Sequence, residues 1–167
     1  MRLKFPSPLA QYIYNTTHDE NGKKQVTRDA WDGFLEDVNV MLLKIMVDHL
    51  PIDRKKLAEP LDNENVIDHL TDCLDDRASE KMIQARLEES GLMISDYAVY
   101  ENITRLIGML QSLERAKTYD DINTPCENIE KFMRNYFGVP ETELIEQLRK
   151  AKESESVPPE HESKRNL

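Results

Sequence analysis

Glu64, Asp68, Asp72 and Asp76 follow one another at steps of four, with Asp75 beside the last, a spacing that lines carboxylates along one face of a helix. Like charges so placed repel by about 0.2–0.5 kcal/mol per pair. The stripe therefore asks for an offsetting charge, either a basic protein surface or a divalent cation. Asp32 and Glu36, also one helical turn apart, are the carboxylates that could face it across a cation. His69 precedes Cys73 by one turn, but two ligands do not complete a tetrahedral zinc site. Cys73 also belongs to the apolar positions of its segment. Cys126 stands alone and there is no Cys-x-x-Cys, so two reduced thiols packed in a core are expected. His18, His49 and His161 have no nucleophile at a recognisable spacing. The five glycines never approach Gly-x-Gly-x-x-Gly or Gly-x-x-x-x-Gly-Lys. No catalytic, cofactor or metal residues are assigned, and Glu64, Asp68, Asp72, Asp75 and Asp76 are read as partner-binding.

The charge balance supports that assignment. Across 167 residues, 22 Lys and Arg stand against 32 Asp and Glu, a formal net charge of −10. A nucleic-acid backbone is disfavoured as the main ligand, because phosphate binding draws on a basic face that releases counterions. A basic protein partner fits the sign. The most apolar stretch, residues 38–47, is interrupted by Asn39 and Lys44 and is far shorter than the roughly 20 residues a bilayer span needs. The start is basic, but Gln11, Asn15 and His18 interrupt the apolar residues after it, so no secretory leader is read and a cytoplasmic location is expected.

The elements that must carry these residues are helical. Ser7-Pro8 is an N-cap followed by Pro at the first helical position, predicting a short helix over 8–16. The Asn21-Gly22 region is a polar turn. Thr27 caps a long segment in which Trp31, Phe34, Leu35, Val38, Met41, Leu42, Ile45 and Met46 recur at threes and fours. Its second half is apolar on nearly every side, marking 28–50 as the central helix. One or two turns fit between Pro51 and Pro60. Asp62 or Asn63 caps a helix with the stripe Val66, Ile67, Leu70, Cys73 and Leu74, and a break is expected at Ser79, with Gly91 closing the following helix. From a Ser95 cap to Lys117, Val99, Ile103, Leu106, Leu110 and Leu113 form a short seam that packs within the bundle. Residues 119–123 read as a loop, and Thr124-Pro125-Cys126-Glu127 as the next helix start. Gly138 stops that helix, Pro140 opens the last, and residues 153–167 read as a disordered polar tail. The aromatic group Tyr97, Tyr100, Phe132, Tyr136 and Phe137 is assigned to the core. The fold expected is all-α, a single compact bundle of five or six helices over residues 1–152.

One stretch resembles a known family. Pro125 to Leu144, with Tyr136-Phe137-Gly138-Val139-Pro140, is similar to the last two helices of Cro/C1-type helix-turn-helix repressors. Arg86-Leu87-Glu88-Glu89-Ser90-Gly91-Leu92 echoes the end of their first helix, and Leu113-Glu114-Arg115 their Ile-Glu-Arg. The match spans about a third of the chain. It departs at Arg134, where the family carries a small buried residue, and at Glu130, where it carries an apolar one. The resemblance implies a DNA-binding regulator with a degenerate helix-turn-helix, using Arg105, Arg115, Lys117, Lys131 and Arg134. A second alternative is a magnesium-dependent all-α nucleotide pyrophosphatase, for which Asp72-x-x-Asp75 is the only close relative of the paired carboxylates such enzymes carry. The reading adopted is a non-catalytic acidic interaction protein, an adaptor, chaperone or inhibitor, monomeric or homodimeric, that binds a basic protein.

Overall fold

Helices form where the sequence supplies a cap followed by an apolar stripe. The computed structural model describes residues 7–18, 27–57, 60–75 and 79–156, and among the described residues there are seven α-helices and no β-strand. Helix α1 (Pro8–Thr17) starts at Ser7, whose Oγ accepts the Ala10 amide at 3.1 Å. Helix α2 (Arg28–Asp48) starts at Thr27, whose Oγ1 accepts the Ala30 amide at 3.2 Å. A 3-10 turn at Arg54–Lys56 fills the space between the two prolines. Asp62 caps α3 (Asn63–Asp75) by accepting the Asn65 amide at 3.3 Å, and Ser79 caps α4 (Glu80–Glu89) by accepting that of Met82 at 3.3 Å. Gly91, at φ +91°, turns the chain so that the Leu92 amide closes on the Leu87 carbonyl at 2.9 Å. Helices α5 (Tyr97–Glu114), α6 (Tyr119–Phe137) and α7 (Glu141–Ser156) complete the set.

Several expectations need correction. The described residues hold seven α-helices rather than five or six, the segments read from Ser79 and from Pro140 each being a separate helix. The cap of α5 is Asp96 and not Ser95. Residues 119–123 are helical rather than a loop: Thr118 and Asp121 form a reciprocal capping box, and Ile122 is fully buried one turn in. Pro125 thus sits inside α6. The added turn gains two capping hydrogen bonds and a buried isoleucine, which outweigh the one backbone bond the proline removes. Helix α7 runs to Ser156, four residues beyond the expected bundle boundary. The Asn21-Gly22 turn and the tail from 157 lie outside the described residues.

Helix α2 is the hub. It packs against α3, α5 and α7, while α5 also meets α3, α4 and α6, and α1 lies against α6 and α7. Within residues 38–47 only Lys44 is exposed, which is how a helix apolar on most sides becomes tolerable. Trp31 is fully buried with its indole Nε1 donating to the Ala116 carbonyl at 2.9 Å. Gln111 of α5 donates Nε2 to the Cys73 and Leu74 carbonyls at 3.1 and 3.3 Å, satisfying acceptors at the open end of α3. Val99, Ile103, Leu106, Leu110 and Leu113 are all buried inside this one core.

Asn39 is the polar exception at the centre of α2. It is fully buried, its Nδ2 donates to the Leu110 carbonyl at 2.7 Å, and its Oδ1 has no hydrogen-bond partner among the described residues. A buried unpaired acceptor costs about 1–3 kcal/mol, and the Leu110 carbonyl sits inside α5, where it has a helical partner of its own. Asn39→Leu is therefore expected to unfold in urea within about 1 kcal/mol of the parent or above it. Asn39→Asp, which buries a charge, should lose about 3 kcal/mol or more.

Candidate functional site

The acidic stripe is set by the opposite side of its own helix. Val66, Ile67, Leu70, Cys73 and Leu74 face the core, which turns Glu64, Asp68 and Asp72 outward, and all three are exposed. Among the described residues none of the three forms an ion pair. The Asp75 side chain and Asp76 lie outside the described residues. Helix α4 packs against α3, and the α4–α5 hairpin exposes apolar side chains: Met82, Met93 at 76% and Tyr97 at 52%. Glu80, through hydrogen bonding and repulsion of the phenolate, raises the pKa of the Tyr97 phenol. Tyr136 is exposed too, whereas Tyr100, Phe132 and Phe137 are buried. The aromatic group is thus split between core and surface, because Tyr97 and Tyr136 lie at helix positions that no neighbour covers.

Other sequence candidates are drawn apart. Cys73 is buried, and its thiol donates to the His69 backbone carbonyl at 3.6 Å. The His69 ring has Nδ1 on the Asn65 carbonyl at 2.8 Å and turns Nε2 to Glu89 at 3.8 Å. Asp32 faces Lys117 at 3.6 Å. Among the described residues no group of three or more His, Cys, Asp or Glu is placed to hold a metal ion. Of the five cations the repressor resemblance would need, Lys117 faces Asp32 and Arg134 bonds Glu141, while Arg105, Arg115 and Lys131 are exposed. The position where that resemblance requires a turn falls inside α5, which is unbroken from Tyr97 to Glu114. No helix of the described residues is long and apolar enough to cross a membrane.

A second site escaped the sequence reading. Glu130 of α6 is only 4% exposed, and its Oε1 accepts hydrogen bonds from the Ser7 hydroxyl and from the Leu9 amide, the latter at 3.1 Å. The start of α1 is then fully accounted for: Pro8 has no N–H, Leu9 donates to Glu130, Ala10 to Ser7 Oγ, and Gln11 to the Ser7 carbonyl at 3.0 Å. The carboxyl borders a cavity of about 280 Å³ lined also by Pro8, Glu127, Lys131, Arg134 and Glu141. Burial pushes the Glu130 pKa up to about 7 from an ordinary 4.5; the Leu9 amide opposes this, Glu141 and Glu127 add to it, and Arg134 lowers it. One turn earlier, burial drives the Cys126 thiol well up, reinforced by Glu130 and Glu127. The signal available in the sequence was spacing, since Glu130 falls four after Cys126 and seven before Phe137, on the buried side of α6.

The folded chain therefore holds the Glu130 proton more tightly than the unfolded chain. The stabilisation this provides is complete below the ordinary carboxylate value of 4.5 and is lost as pH rises through about 7. Glu130→Gln keeps an acceptor for Ser7 and Leu9 without a titrating proton. Thermal melts should show the parent losing stability between about pH 5 and 8 where the variant does not. The difference should reach about 1–2 kcal/mol at the upper end, reduced from the full shift because the carboxyl borders an open cavity.

Comparison with protein-family models, with curated proteins and with solved structures finds no match.

Proposed function

We propose that this protein is a non-catalytic acidic helical interaction protein of the cytoplasm, an adaptor, chaperone or inhibitor, monomeric or homodimeric, that binds a basic protein through the outer face of α3. Glu64, Asp68 and Asp72 are its contacts, together with Asp75 and Asp76 from the same run. The observation that carries the reading is the exposure of three carboxylates in helical register with no cation paired to them among the described residues. Repulsion along such a face is relieved when a basic surface docks on it, and the field of a chain at −10 steers that approach. Met82, Met93 and Tyr97 on the neighbouring hairpin supply the apolar contact that charge alone does not. A basic segment with an apolar side, such as an amphipathic helix, matches both features.

The triple variant Asp68→Lys, Asp72→Lys and Asp76→Lys tests this reading. Its fold should be kept, since Asp68 and Asp72 are exposed and the change exchanges acidic like-charge pairs for basic ones of similar size. Proteins captured by the parent from native lysate should be basic and released by salt, and the variant should fail to retain them. Equal capture by parent and variant at every ionic strength would remove α3 as the contact face.

A further inference from the structure

Helix α1 is held to the bundle in two ways. Leu9, Ala10, Ile13, Tyr14 and Thr17 are buried, and the helix start is tied to α6 by two hydrogen bonds that end on one oxygen of Glu130. Elsewhere α1 borders open space: the cavity at its start, and a groove of about 460 Å³ against α7 lined by Gln11, Tyr12, Thr16, Ile145 and Arg149.

We propose that Glu130 is a proton-operated clasp: protonated, it secures the start of α1 on α6, and ionised, it raises the population of molecules in which α1 has swung off an otherwise folded bundle.

Burial is the main force against ionisation of Glu130, whose side chain is enclosed between the start of α1 and α6. From α6, Glu127, Lys131 and Arg134 line the same cavity, and from α7 Glu141 does. Glu141 and Glu127 add repulsion, while the Leu9 amide and Arg134, which also donates to Glu141, favour the charged form without outweighing burial. Helix α1 offers no counter-charge, since residues 8–17 hold no acid, amine, guanidinium or imidazole and only the phenols of Tyr12 and Tyr14 can titrate. Arg2 and Lys4 lie outside the described residues. At the far end of α1, His18 stacks on Tyr14 and meets the Trp31 ring edge-on at 6.2 Å, and it is identical in the parent and in the variant used below. The apolar face keeps α1 docked most of the time in either state, so the proton acts on how often it opens. Each opening uncovers Leu9, Ile13 and Tyr14 together with the sides of α6 and α7 beneath them.

Hydrogen exchange of the full chain reads such openings directly. After correction for intrinsic rates, protection of residues 9–17 relative to α5 should fall about tenfold or more between about pH 5.5 and pH 8 in the parent, and stay level in Glu130→Gln. Carboxyl NMR of the parent, which needs no variant, should show the Glu130 titration and the Leu9 amide shift moving together. Protection of α1 that follows α5 at both pH values, the same drop in Glu130→Gln, or a Leu9 amide indifferent to the Glu130 titration would each overturn the clasp.

Discussion

The structure depends on covering the second half of α2. Residues 38–47 carry apolar side chains on almost every side, and a helix of that kind has no face to give to water. Three helices close around it, with α3, α5 and α7 each taking a share. The remaining elements are placed by that requirement. Helix α5 completes the core with its own buried seam, α4 and α6 cover α5, and α1 finishes the side where α6 and α7 meet. Hydrophobic burial of this extent supplies most of the driving force for folding, and it is indifferent to direction.

Direction comes from the polar groups trapped along the way. Trp31 reaches the Ala116 carbonyl, Gln111 reaches the end of α3, and Asn39 reaches the Leu110 carbonyl. Each hydrogen bond links segments distant in sequence and is satisfied at a single register. Glu130 is the costliest member of this set. It is an ionisable group in a place that disfavours its charge, and it completes the capping of a helix more than a hundred residues upstream in the chain. The same arrangement that orders α1 makes its docking responsive to protons.

The two chemically distinctive regions sit on different helices and use carboxylates in opposite ways. On α3 the carboxylates are exposed at the surface, suited to attracting a partner over distance. On α6 a single carboxylate is buried and acts through its proton. Surface charge of the first kind is screened by salt, whereas a buried group of the second kind is screened much less.

Much of the fold was legible because it rests on local chemistry. Ser7 and Thr27 cap the helices they were expected to cap, Asp62 is the one of two expected residues that caps α3, the break expected at Ser79 is there, and Gly91 and Gly138 turn the chain at positive φ where a helix has to stop. The failures share one cause. Thr124-Pro125 looks like a helix start from its neighbours alone, but the Thr118 and Asp121 box and the burial of Ile122 decide the matter. Tyr97 and Tyr136 look like core residues until the packing leaves them outside. The amino-acid order by itself determined where most of the helices lie and which side of α3 carries its charge, since caps and periodicity act within a few residues. Only the tertiary structure decided that Glu130 meets Ser7 and Leu9, because burial and proton affinity depend on what other parts of the chain bring to the same point in space.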